Sequence, residues 1–397
     1  MMDGATRCIE LAEKKQAAIL RELKTILRMR GGVPFKQLEK LIGKLRHAAI
    51  GIPAGKSLFG PINQLMAQKP PAIYWERCPD VRVALQDWKQ LIREAAKEPT
   101  HVKELVSGEA DYKGTLDASG EGAGGIWISG NKLLAPIVWR VEWPQEVRER
   151  LVTFDNPGGD ITNSDLEMAA ELLGWLVLEG LVCTRWTHVG CCSDNSATVS
   201  WQTRGASKRS RVANRLLRVL AIRLRVNRAS PLVTKHIAGD RNGLGDIPSR
   251  SYGYKAEWHH KNDIDFLAYF NKTFPLPSKN CWTGYRLRSA VCTKVMRELL
   301  TGGSSMDEWR QLPTLGRRFG RIGKPTAIPS RYLRTWTTAI SKQSPGSQQC
   351  SGEGSGKANV ENPSALHTFG QGSAASPRRS PWTRDASPST KPTASTT

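Results

Sequence analysis

The sequence predicts an α/β fold: a mixed five-stranded sheet flanked by helices, preceded by a helical module and followed by a disordered tail. Three observations carry this. Residues 9–96 show the apolar spacing of helices alone. Residues 114–143 hold three short strand-like runs, and residues 164–249 then alternate helical and strand-like patterns, which together suggest a sheet with antiparallel and parallel pairs covered by helices. From about residue 341 the chain is rich in Ser, Gly, Pro and Thr, and too few large apolar side chains remain to offset ordering its backbone.

Taken in order, Ile9, Ala12, Ile19, Leu23, Ile26 and Leu27 fall at helical spacing, and Gly31-Gly32 ends that helix. A second helix is expected over 34–49, where Pro34 suits a first turn, a third over 58–67, and a fourth over 80–96 through Leu85, Trp88, Leu91 and Ile92. Strands are expected at 114–117, 125–129 and 133–143, with the glycine-rich turn Gly120 to Gly125 between the first two. Glycines there would let a backbone or a phosphate approach closely. A long apolar helix over 164–182, a strand at 187–193, helices at 196–203 and 207–227, a strand at 232–237 and a short helix at 242–249 complete the unit. Residues 263–270 and 285–300 read as short helices split by Phe274-Pro275-Leu276-Pro277. The domain boundaries that follow are 1–104, a helical module; 105–253, the sheet domain; 254–325, a small helical appendage; and 326–397, a disordered basic tail. No internal repeat is evident.

The chain has 397 residues and a net charge of +22, an excess that favours a polyanionic partner, because neutralising phosphates releases counterions. Its eight cysteines are scattered without the paired spacing of a zinc site. The start carries no signal-peptide pattern, and the most apolar run, residues 172–182, is too short to span a membrane and contains Glu179. An intracellular location, cytoplasmic or nuclear and away from membranes, is the expectation.

Four acids fall where the pattern places ends of elements: Asp117 ends the first strand, Glu167 lies in the first turn of the long helix, Asp194 follows the fourth strand and Asp246 lies in the short closing helix. If strands one and four are neighbours, Asp117 and Asp194 come side by side. Clustered carboxylates are costly unless a cation neutralises them, and such an oxygen donor set suits Mg²⁺ or Mn²⁺. Two such ions a few ångströms apart can activate water and stabilise a leaving oxygen in phosphodiester cleavage. Each acid has a structural competitor: Glu167 could pair with Ser164 in a capping box, Asp194 could cap a helix, Asp246 could be a solvated helix carboxylate, and His236 a strand-end histidine. These must all hold together, with matching order, spacing and element type, to displace the cluster.

In that order and in its local words the sequence resembles the type 1 ribonuclease H family. Thr162-Asn163-Ser164-Asp165-Leu166-Glu167 resembles the family's helix entrance, Ser193-Asp194-Asn195 its third carboxylate at a strand end, and the stretch His236 to Asp246 keeps its His, Asn and Asp. Ser193-Asp194-Asn195 and Gly245-Asp246-Ile247-Pro248-Ser249-Arg250 are nearer the version in retroelement reverse transcriptases, and Leu41-Ile42-Gly43-Lys44-Leu45 with Ile52-Pro53 is similar to the thumb and connection that follow a polymerase. No adjacent Asp pair occurs anywhere, so the polymerase palm is absent and the chain looks like the rear part of a retroelement polyprotein. The resemblance implies metal-dependent hydrolysis of RNA in an RNA–DNA hybrid. Asp117, Glu167, Asp194 and Asp246 would hold two ions, and His236 would serve product release or proton shuttling. It also implies that Asn163 contacts a ribose 2′-hydroxyl, the group that separates RNA from DNA.

From Arg204 to Arg228 the chain carries nine Lys or Arg and no acid, interrupted by Val212, Leu216, Val219, Leu220 and Ile222. One face is expected to pack on the sheet and the other to meet phosphates, with Arg204, Lys208, Arg209, Arg211 and Arg215, together with Asn163 and Asn195, as the nucleic-acid contacts. The polymerase part of the same element is a further expected partner. The rival reading is a retroelement remnant that only binds nucleic acid or serves a structural role.

Overall fold

The computed structural model describes residues 2–3, 5–106, 108–129, 135–253, 259–260, 262–276, 281–312 and 315–319. The expected tail lies outside the described residues, as do residues 254–258 and 320–325. No described helix is long and apolar enough to cross a membrane.

Four helices build the N-terminal region: α1 (Glu13–Arg28), α2 (Phe35–Ala48), α3 (Phe59–Gln68) and α4 (Pro79–Lys97). Each is amphipathic. Ile19, Leu23 and Ile26 of α1 are buried, as are Leu38, Leu41, Ile42 and Leu45 of α2 and Leu85, Trp88, Leu91 and Ile92 of α4. Pro79 occupies the first turn of α4, where its missing N–H costs nothing.

The rest is organised around a mixed sheet. Its strands are β1 (Tyr112–Ala118), β2 (Gly122–Ser129), β3 (Ile137–Glu142), β4 (Val189–Ser193), β5 (Val233–His236), β6 (Thr283–Leu287) and β7 (Gly316–Phe319), in the spatial order β5-β4-β1-β2-β3-β6-β7. β1, β2 and β3 form an antiparallel meander. β4 runs parallel to β1, β5 parallel to β4, β6 parallel to β3, and β7 antiparallel to β6. The sheet therefore has seven strands where the sequence reading expects five. The two added strands come from the stretch read as a helical appendage, and Tyr285, expected to open a helix, lies inside β6. The local pattern there is short, and what makes it a strand is the free edge of β3, a non-local partner.

Helix α5 (Asn163–Glu179) lies on one face, buried on nearly every side from Asp165 to Leu178. Trp127 of β2 points to it and donates its indole N–H to the Gly174 carbonyl at 2.8 Å. Alternate residues Ile126 and Ile128 point the other way, into a smaller core with Val138, Ile247, Phe266, Phe270 and Trp282. That second face is covered by α8 (Gly243–Arg250) and α9 (Asp263–Thr273). Further helices are α6 (Ser196–Arg204), α7 (Arg211–Asn227), α10 (Ser289–Leu300) and α11 (Met306–Arg310). The glycines of β2 serve close approach. A Cβ on Gly124 would lie 2.4 Å from Pro248 Cβ and 2.8 Å from its carbonyl carbon, so only glycine lets the α8 backbone settle on the strand.

Helix α7 carries the basic segment, and most of its arginines turn inward. Arg218 forms a two-pronged pair with Asp87 of α4. Arg225 reaches Glu104 at 2.9 Å, Arg228 reaches the same carboxylate at 2.7 Å, and Arg223 pairs with Glu179 of α5 at 2.8 Å. From Arg218 to Arg228 the arginines are thus held by acids of α4 and α5 and by Glu104.

Candidate metal and nucleic-acid site

Asp117 stands near the C-terminal end of β1, Asp194 immediately after β4, and Glu167 one turn into α5. Because β4 pairs directly with β1, two of the acids are neighbours, and the start of α5 brings the third over the strand end. One carboxylate oxygen from each of Asp117, Glu167 and Asp194 lies within 4.8 Å of the others. Asp117 and Glu167 are 2% and 3% exposed and Asp194 is half-buried, so the cluster opens on Asp194's side.

The competing structural roles belong to neighbouring residues. The N-cap of α5 is Thr162, and its capping-box partner is Asp165, not the Ser164–Glu167 pair weighed from sequence. Ser164 Oγ instead accepts from the Asn195 side chain at 3.2 Å. Glu167 is left free of the cap and takes a hydrogen bond from the Ala118 backbone N–H. The cap of α6 is Asn195, which accepts from Thr198 N at 3.0 Å, so Asp194 is not spent there.

Burial pushes the Asp117 carboxyl up to about 7, helped by the charges of Asp246 and Asp194 and opposed by a hydrogen bond from Ser249. Glu167 is held well above the carboxylate range, first by burial and then by Asp117 and Asp194. Asp246 is half-buried, is also raised by burial and by Asp194, and is paired with Arg250 at 2.9 Å. It stands close enough to influence the cluster while its carboxylate is turned to that arginine. His236 is exposed. Its Nε2 lies 2.9 Å from the Asp194 carbonyl oxygen, and its strand position is level with Ser193.

Two residues that the sequence reading did not count in the site hold Asp117 in place. Asn242, fully buried, donates to Oδ1 at 3.1 Å, and Ser249 Oγ donates to Oδ2. Both belong to words quoted for the resemblance, but nothing local shows that they reach an aspartate 125 and 132 residues upstream. Glu171, one turn beyond Glu167, is also buried, bonded to Gln202 and Thr234, and raised by burial to about 7.

The expected nucleic-acid contacts divide. Asn163, Arg204, Lys208 and Arg209 are exposed, and Ser210 bonds Asp165, which keeps Lys208 and Arg209 beside the start of α5. Arg211 is paired with Asp80 at 2.8 Å, Arg215 is half-buried on the Leu299 carbonyl at 3.1 Å, and both ends of the Asn195 amide are engaged by Thr198 and Ser164. Arg211 is nevertheless exposed, whereas Arg215 and Asn195 are half-buried on these partners.

The donor set is all oxygen, partly shielded from water and short of positive charge, which fits a hard divalent cation and not a soft one. The chain matches no protein-family model and no curated protein sequence.

Proposed function

We propose that the chain is a divalent-metal-dependent nuclease of the ribonuclease H kind that hydrolyses RNA in an RNA–DNA hybrid, as the rear part of a retroelement reverse transcriptase. The observation that carries the reading is the convergence of Asp117, Glu167 and Asp194 from β1, α5 and β4. The strand order β3-β2-β1-β4-β5, with the first acid on the central strand, supports it too. So do the exposed Asn163, Lys208 and Arg209 around the start of α5.

Asp117, Glu167 and Asp194 would hold the cation, with Mg²⁺ or Mn²⁺ as the expected species, and Asp246 would join them on releasing Arg250. A bound divalent ion supplies charge neutralisation at the phosphate and lowers the pKa of a coordinated water. The chain's own residues prepare that chemistry. Ser249 and Asn242 fix the rotamer of Asp117, so both its oxygens are oriented before any ligand arrives. Burial pushes the Asp117 carboxyl up to about 7 and raises Glu167 in the same direction, so a cation binding there competes with protons. Exposed on β5 beside Asp194, His236 would serve product release or proton shuttling. Asn163, on the first exposed turn of α5, offers an amide to a ribose hydroxyl.

The test is cleavage of an end-labelled hybrid by the full chain with and without Mg²⁺. Asp194→Asn keeps size and loses charge, so cleavage is expected to fall at least ~10²-fold while hybrid affinity survives. Hybrid binding with no metal-dependent cleavage by the wild-type chain would overturn the nuclease reading in favour of a non-catalytic binding domain.

A further inference from the structure

The added strands β6 and β7 create a second charged feature, on the same side of the sheet as Asp117 but beyond α8. Strand register fixes its position. Asp117 lies opposite Gly124, and Gly124 opposite Arg140. On β6, Tyr285 is level with Trp139, which sets Arg286 beside Arg140, and Arg286 lies opposite Arg317 of β7. One row across the sheet therefore reads Asp117, Gly124, Arg140, Arg286, Arg317. At about 4.8 Å per strand, its arginines begin roughly 10 Å from Asp117 and end roughly 19 Å away.

These arginines, with Arg288, line a cleft of about 860 Å³. Arg140 is buried and pre-set. It donates to Ser251 Oγ at 3.0 Å and to the His260 carbonyl at 3.1 Å, and its guanidinium stacks 4.5 Å from the rings of Tyr252 and Phe266. Two acids also line the cleft. Asp263 is shared between Arg140 and Arg286, and Glu142 is drawn toward Arg148 at 3.7 Å. Arg288 and Arg317 are exposed, and among the described residues neither is held by a carboxylate. Arg288 also begins α10, whose first turn has no acid and no side-chain cap, and whose Ser289 and Ala290 line the cleft. Four guanidinium groups against two carboxylates, over the positive end of a helix, suit an anion with several phosphates.

We propose that this cleft binds the phosphodiester backbone of the nucleic acid whose cleavage site lies at Asp117, about three to six nucleotides along the strand at ~3.4 Å per nucleotide. The identity of the polymer rests on the nuclease reading, and the cleft would take over the gripping that the inward-turned arginines of α7 do not perform.

The experiment measures binding of the full chain to a fluorescent hybrid of about 24 base pairs in EDTA, across a salt series, so no cleavage enters the readout. Arg288→Ala with Arg317→Ala removes two exposed guanidinium groups and is expected to keep the wild-type melting temperature. It should weaken binding about tenfold at low salt and reduce the slope of log Kd against log salt by nearly two, close to 0.9 per lost phosphate contact. Competition by millimolar inorganic phosphate should be slight. An unchanged affinity and slope would overturn the proposal, as would displacement of the hybrid by inorganic phosphate alone, which would make the cleft a free-anion site. Failure of the wild-type chain to cleave with Mg²⁺ would refute the nuclease reading separately, since the binding comparison stands without it.

Discussion

At the residue scale the most informative group is Asp117, because its proton links stability to ligand binding. Its ordinary pKa of 3.8 rises to about 7 in the fold. Between those values the native state binds more protons than the unfolded chain, so this group's contribution to stability falls as pH rises through the window. A divalent cation must displace the proton, so its affinity should climb as pH rises from 5 toward 7. Calorimetry in two buffers of different ionisation enthalpy would register proton release on binding below pH 7. In Asp117→Asn the carbonyl oxygen can still accept from Asn242 and the new amide can donate to Ser249, with no charge left to desolvate. We expect its metal-free form to melt higher than wild type at pH 8, to match it near pH 4, and to bind Mn²⁺ much more weakly. Equal melting temperatures at pH 8 would show that the buried charge costs the fold nothing.

At the scale of elements, the seating of α8 on β2 decides whether Ser249 and Asn242 reach Asp117. Gly124→Ala would drive a methyl group into Pro248, whose backbone cannot yield as a flexible side chain would. Overpacking of this kind costs about 1–3 kcal/mol. Denaturant unfolding should show that loss, and cleavage should fall with it as Ser249 lifts away. Gly158→Ala, with nothing within 4 Å of the added carbon, is the neutral control. This element also shows what was legible in the sequence. The helices α1 to α5, the meander and the three acids carry local signals: 3.6-residue periodicity, turn glycines, and acids at element ends. The glycines of β2 announced a close approach without saying that a helix backbone would be the visitor. Strand β6 and the brackets on Asp117 depend on partners more than a hundred residues away, and β7 depends in turn on β6, which periodicity does not encode. In the basic helix, a run of arginines looks the same in sequence whether it faces phosphates or, as Arg218, Arg223 and Arg225 do, acids from another part of the chain.

Across the whole molecule, Arg218, Arg225 and Arg228 tie the N-terminal region to α7, and Arg223 ties α7 to α5. Burial holds the Asp87 carboxyl above its ordinary range even with Arg218 against it, so desolvation outweighs the attraction of its partner. Such a pair fixes how two bodies meet more than it adds stability. Arg218→Ala leaves Asp87 buried alone and should cost about 3–5 kcal/mol, whereas Arg218→Met with Asp87→Leu should recover most of that loss. Equal destabilisation in the single and double variants, measured by urea unfolding, would mean that packing volume and not charge sets the joint. The same joint imposes an order on synthesis. Asp87 leaves the ribosome 131 residues ahead of Arg218, which at ~5–20 residues per second is a delay of roughly 7 to 26 s. Through that interval Asp87 and Glu104 lack the guanidinium groups that they meet in the fold, and the Pro53–Leu58 turn has no α7 to cover it. The first quarter of the chain must therefore wait, hydrated and incomplete, for a helix translated well after it. A translational pause placed between α4 and α7 would lengthen that exposure, while one placed after α7 would not.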